Sequence, residues 1–129
     1  MSILIVSLIA AVQAAPMHWD GTPERESAIR QRVAEELRDP ASAYFRDVEL
    51  REREDGQTVV CGYVSGRNGY GGMGEPLAFA YTGAPQLFKT SDEDARLRDN
   101  AFRMRDMFCG DRWTTHVRPL DWNKQKGPP

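Results

Sequence analysis

The sequence predicts an α+β fold: a small antiparallel sheet of three to four strands, flanked by an N-terminal and a C-terminal helix and tied by one disulfide. Three observations predict it. Apolar residues recur at helical spacing in two segments, one near each end of the folded part. The segments between them alternate with the two-residue period of strands. The two cysteines, Cys61 and Cys109, fall in a strand segment and at the end of the second helical segment. Strands bracketed by helices pack as layers, here with the helices expected on one face of the sheet.

The first helix lies in "GTPERESAIRQRVAEELRDP". Thr22 is a good N-cap and Pro23 suits the first helical position. Ile29, Val33 and Leu37 form the apolar stripe, and charged residues fill the other faces. Asp39-Pro40 stops the helix, because the residue before a proline avoids the helical region. Ala41 to Phe45 reads as one more helical turn. From Asp47 the pattern alternates, with Val48 and Leu50 against Glu49 and Arg51. Glu54-Asp55-Gly56 signals a hairpin. In the returning strand Val59, Cys61 and Tyr63 share one face, and Val60, Gly62 and Val64 the other. Apolar residues on both faces predict a central strand, and Gly62 leaves room for something that packs close.

"PLAFAYTG" is the next strand, and "QLFKT" has the character of a short edge strand. "SDEDARLRDNAFRMRDMFCG" is the second helix, with Ser91 as cap and Asp94 as its capping-box partner. Leu97, Ala101, Met104 and Phe108 form its expected buried stripe, and Gly110 follows its end. "DRWTTHVRPL" has the character of a last strand before a polar tail.

"MSILIVSLIAAVQAAP" reads as a secretory signal peptide, residues 1–14, cut after Ala14. Its apolar run falls short of the ~20 residues that span a bilayer, so no stable span is expected after cleavage. No Lys or Arg precedes the run. Residues 15–118 then form one α+β domain and residues 119–129 a polar C-terminal tail. An exported chain with two cysteines predicts a Cys61–Cys109 disulfide and a periplasmic or secreted location. The formal net charge is −2, which argues against nucleic acid as a partner. Acidic residues interleave with nearly all the arginines.

"GRNGYGGMGEPLAFAY" contains G-x-G-x-x-G at Gly69, Gly71 and Gly74. A dinucleotide loop needs a helix after the glycines, to offer N–H groups to a pyrophosphate. Here Glu75-Pro76 and a strand pattern come next, so the segment reads as a long hairpin loop with Arg67, Asn68 and Tyr70 at its tip. Long loops often carry function, and these residue types suit recognition. No catalytic constellation is legible. Disulfide-bonded cysteines supply no thiolate, the serines lack a nucleophile-elbow context, and Cys and His show no metal-ligand spacing. No cofactor and no metal are expected. His116 reads as a strand histidine, and Trp113 and Trp122 as packing or edge-covering residues.

"LRDPASAYFR" followed by "VVCGYVSGRNGYGGMGEPLAFAY" resembles a family of small exported bacterial and phage-associated proteins, mostly uncharacterised. The shared pattern is D-P-x-S-A-x-F-R, a V-C-G-x-V strand, an Asn, a Gly-rich turn and an aromatic strand. Asp39, Pro40, Ser42, Ala43, Phe45, Arg46, Val60, Cys61, Gly62, Val64, Asn68, Gly71, Gly72, Gly74 and Phe79 match it, within Leu37 to Tyr81. Members often carry Glu-Val-Asn after Cys-Gly, where this chain has Tyr63-Val64-Ser65. The resemblance implies no particular activity. Physically, Ser42 is placed to bond nearby backbone, Phe45 to reach the core and Arg46 to tie the turn to a carboxylate or carbonyl.

These readings lead to a non-catalytic exported protein that binds another cell-envelope component through the Arg67–Tyr70 loop. The alternative is an inhibitor or immunity-type protein that blocks an enzyme such as a cell-wall hydrolase. A hydrolase with a site hidden from sequence ranks last. Oligomeric state is not legible.

Overall fold

The computed structural model describes residues 22–122. The expected signal peptide, His18 and the end of the tail lie outside the described residues. Helix α1 spans Pro23–Ala34, strands β1 to β5 span Tyr44–Arg53, Thr58–Ser65, Leu77–Tyr81, Pro85–Phe88 and Thr114–Pro119, and helix α2 spans Ala95–Cys109. All strands are antiparallel neighbours in the order β4-β3-β2-β1-β5. The sheet therefore has five strands rather than three or four. Both stretches with weaker strand character take edge positions. β2 is the central strand, as its two apolar faces predict.

The helices do not share a face. Ile29, Val33 and Ala34 of α1 join Phe45, Val48, Leu50, Val60, Val64, Phe79 and Tyr81 in one core. Val59, Cys61, Ala78, Ala80 and Phe88 form a second core with Cys109 of α2. The two-residue period of β2 and β3 assigns these sets to opposite faces. The result is a helix–sheet–helix sandwich, and it stems from β2 being apolar on both sides.

Thr22 caps α1, its hydroxyl accepting the Arg25 N–H at 3.2 Å. Helical bonding ends at Ala34, several residues before Asp39-Pro40, because Glu36 and Leu37 donate three residues back, to Val33 and Ala34. Such tightening is common where an α-helix runs out. Leu37 packs against the first core from this turn. Pro40–Ser42 then makes a 3-10 turn, and β1 begins at Tyr44, where one more turn of helix was expected.

The early start of β1 has a local cause. Its register shifts between Arg46 and Glu49, so that Asp47 and Val48 together oppose Gly62. Asp47 adopts φ 53°. This β-bulge absorbs one residue, which returns Val48 and Leu50 to the face that already holds Phe45. Strict alternation puts Phe45 out of phase with Val48, so the strand's first half is hidden in the sequence.

The chain returns after β5 to the first core. Trp122 is 1% exposed; its ring lies edge-on to Phe45 at 4.9 Å and stacked on Phe79 at 5.9 Å between centroids. Arg30 Nη1 donates to the Trp122 carbonyl at 3.3 Å. Leu120 and Trp122, expected in the tail, thus belong to the packed part. Trp122 is a packing residue, as expected.

On the opposite face the Cys61–Cys109 disulfide joins α2 to the central strand, with Cα atoms 6.2 Å apart. Phe108 stacks near Phe88, and the Arg105 guanidinium lies 5.1 Å from the Tyr63 ring centroid. Ala101 and Phe108 face the sheet as predicted, whereas Leu97 and Met104 are exposed. Tethering Cys109 to β2 sets the rotation of the helix about its axis and turns those two outward. The cap of α2 also differs. Asp94 accepts the Arg96 N–H, and the Ser91 hydroxyl donates instead to Glu75. Among the described residues no helix is long and apolar enough to cross a membrane.

Candidate binding loop

The Gly-rich segment between β2 and β3 is built on the turn after α1. Asp39-Pro40 starts the 3-10 turn, which brings Ser42 beneath the end of β2. The Ser42 hydroxyl donates to the Asp39 carbonyl at 2.7 Å and accepts the Arg67 N–H at 2.7 Å. One side chain thus closes its own turn and holds the first limb of the loop.

The two limbs then pair. Gly74 N–H donates to the Gly66 carbonyl at 2.7 Å, and Arg67 and Met73 form an antiparallel bridge. Asn68 N–H donates to the Gly72 carbonyl at 2.7 Å. The Asn68 side chain closes the tip: its Oδ1 accepts the Tyr70 N–H at 2.9 Å and the Gly72 N–H at 3.1 Å. This is the local side-chain turn that Asn forms readily. The segment is a narrow extension of the β2–β3 hairpin.

Each glycine of the G-x-G-x-x-G spacing has a reason within this hairpin. Gly69 lies under the Arg38 guanidinium, Gly71 has φ +84°, and Gly74 sits against the Gly66 carbonyl. β3 comes after the loop, so no helix N-terminus stands behind the glycines to receive a phosphate.

The three residues singled out at the tip have different parts. Tyr70 is 98% exposed. Arg67 is exposed, with its backbone N–H engaged by Ser42. Asn68 is exposed, but its carbonyl oxygen is occupied within the loop, so it positions Tyr70. Met73, beside them, is 53% exposed. Arg38 was missed by sequence reasoning, because nothing in the string links it to a residue 31 positions later. Ser42 reads in the sequence as a local backbone partner, and its reach to Arg67 needed the fold.

The other candidates are not drawn together. Both cysteines are spent in the disulfide. His116 is exposed on β5, with Nδ1 3.3 Å from the neighbouring Thr115 hydroxyl and 3.6 Å from Glu52. No polar or charged residue is buried, and no group of three or more His, Cys, Asp or Glu could hold a metal ion, among the described residues. Arg51 lies half-buried between Glu49 and Asp111. Burial works against its charge, but hydrogen bonds to Asp111 and Glu49 and their charges outweigh this, and its pKa is raised. It ties the turn after α2 to β1, a structural task. Two open clefts of about 500 Å³ flank Trp122, one of them against α1 at Arg30 and Gln31. Arg46 carries its guanidinium 5.3 Å from the Tyr63 centroid and 3.6 Å from Asp47.

No family model, no curated protein and no solved structure matches this chain.

Proposed function

We propose that this chain is a non-catalytic exported protein that binds another component of the cell envelope, with Tyr70 as the anchor of the contact. The observation that carries the reading is a tyrosine 98% exposed at the tip of a loop whose backbone is fixed by Asn68 and Ser42. A loop ordered before binding loses little freedom on binding. Tyrosine offers a large amphipathic contact at low entropy cost. The disulfide suits an oxidising compartment, which supports a periplasmic or secreted location.

The test is capture from a periplasmic extract by the immobilised mature chain, with identification and purification of the bound species. The proposal expects a partner held by the wild-type chain and lost by Tyr70→Ala, with both proteins melting at the same temperature. A partner held equally by both, or none at all, refutes it.

A further inference from the structure

We infer that the partner is a protein presenting carboxylates around the pocket that receives Tyr70. The inference rests on the proposed function, in which the loop tip is the contact, and adds the chemistry of the surface it meets.

The charge pattern of the tip carries it. The chain as a whole is slightly acidic, with 17 basic and 19 acidic residues. Residues 66–74 depart from this balance, since their only charged side chain is Arg67. A second cation arrives from the turn after α1. A Cβ built on Gly69 would meet Arg38 Nη1 at 2.6 Å and Cζ at 3.0 Å, so this guanidinium lies directly against the tip beside Tyr70. The lack of a side chain at Gly69 is what lets it approach.

The arginines of β1 are ion-paired. Arg46 has Asp47, Arg51 has Glu49 and Asp111, and Arg53 has Asp55 within ion-pair range. Neither Arg38 nor Arg67 is in an ion pair among the described residues. The one carboxylate directly after the loop, Glu75, accepts the Ser91 hydroxyl at 2.7 Å. Asp39, next to Arg38 in sequence, lends its carbonyl to Ser42 and makes no ion pair with its neighbour. The loop that exposes Tyr70 thus carries Arg67 in its first limb and the Arg38 guanidinium against Gly69, and neither arginine has an ion-pair partner among the described residues.

Tyrosine and arginine are the residue types that dominate binding energy at protein interfaces. The planar guanidinium fork matches a carboxylate bidentately. A polyanion fits less well. Two cations on one tip neutralise few phosphates, and a chain of net charge −2 repels a polymer that runs along it. Tyr70 with Met73 beside it asks for an apolar pocket, which a folded protein provides.

The test uses the purified captured partner and biosensor kinetics at about 50 mM and about 500 mM salt, where the screening length differs severalfold. The variants are Arg38→Gln/Arg67→Gln, Arg38→Glu/Arg67→Glu and Tyr70→Ala, each checked by thermal melting. The neutral double variant is expected to weaken binding about tenfold, mainly through slower association, and to flatten the salt dependence. Charge reversal is expected to weaken it further. If both arginine variants bind like wild type with unchanged salt dependence while Tyr70→Ala fails, this inference falls and the proposed function stands. If Tyr70→Ala also binds normally, or nothing is captured, the proposed function falls and takes the inference with it. A captured species that survives protease but not nuclease or glycan digestion overturns the inference as well.

Discussion

Replacing Gly62 by alanine tests the central packing arrangement. A methyl group at this position would lie 3.0 Å from both Val48 Cα and Val48 Cγ2 and 3.1 Å from Phe79 Cε1. Carbon atoms at rest sit about 3.5–4.0 Å apart, so each neighbour must withdraw by roughly half an ångström. None withdraws easily. Val48 Cα is backbone within the bulge opposite Gly62, and the Phe79 ring is flanked by Phe45 and Trp122, both at 5.9 Å. Overpacking of this kind costs about 1–3 kcal/mol. Alanine recovers about 0.5–1 kcal/mol of the glycine's conformational disadvantage in a strand. The net expectation is a loss of about 1–2 kcal/mol, which lowers the Tm of a domain this size by about 5–10 °C. Urea unfolding of the oxidised protein, read for an unchanged slope, measures it. Val48→Ala in the same background relieves the clash at Cγ2 and leaves the clash with the Val48 backbone. A double-mutant cycle should therefore show favourable but incomplete coupling. A Gly62→Ala protein as stable as wild type, or more stable, would refute the claim that the bulge pins glycine here.

Four further outcomes are expected from the same geometry. Cys61→Ala/Cys109→Ala opens a link between residues 48 apart and should cost about 4 kcal/mol in the chain-entropy account; reductant should lower the wild-type urea midpoint to match. Trp122→Ala should cost about 3–5 kcal/mol, whereas a tail residue would cost almost nothing; chemical denaturation separates the two. Ser42→Ala removes the acceptor of the Arg67 N–H and the donor to the Asp39 carbonyl, for a loss of about 1–2 kcal/mol and faster hydrogen exchange at the Arg67 amide. Asn68→Ala should leave global stability within about 1 kcal/mol of wild type but accelerate exchange at the Tyr70 and Gly72 amides, because only the tip depends on that side chain.

The candidate site was half legible. The hairpin character of "GRNGYGGMG" could be read from its C-terminal neighbours, since Glu75-Pro76 and an alternating run exclude a phosphate-binding helix. Exposure of Tyr70 at a tip came from the same reading. The parts of Ser42 and Arg38 were not legible, because both act across the fold on residues 25 and 31 positions away. The bonds from the Tyr70 and Gly72 amides to the Asn68 side chain were not legible either, because the local backbone geometry that forms them is invisible in a string.

The sequence by itself determined what depends on neighbours along the chain. Thr22-Pro23 starts α1, Asp55-Gly56 turns the first hairpin, and the alternation of Val59 to Val64 makes β2 apolar on both sides and hence central. With two cysteines an intramolecular disulfide had only one possible pairing. Tertiary structure alone decided how these pieces meet. A central strand with two apolar faces needs cover on both, so the helices took opposite sides where one shared side had been expected. The disulfide set the rotation of α2, which sent Leu97 and Met104 outward although their spacing suited a buried stripe. The bulge at Asp47 restored the phase between Phe45 and Val48, and burial of Trp122 drew the chain after β5 back into the core. Periodicity says that an element has an apolar side. Which partner covers that side, and at what rotation, is settled by packing between residues far apart in the chain.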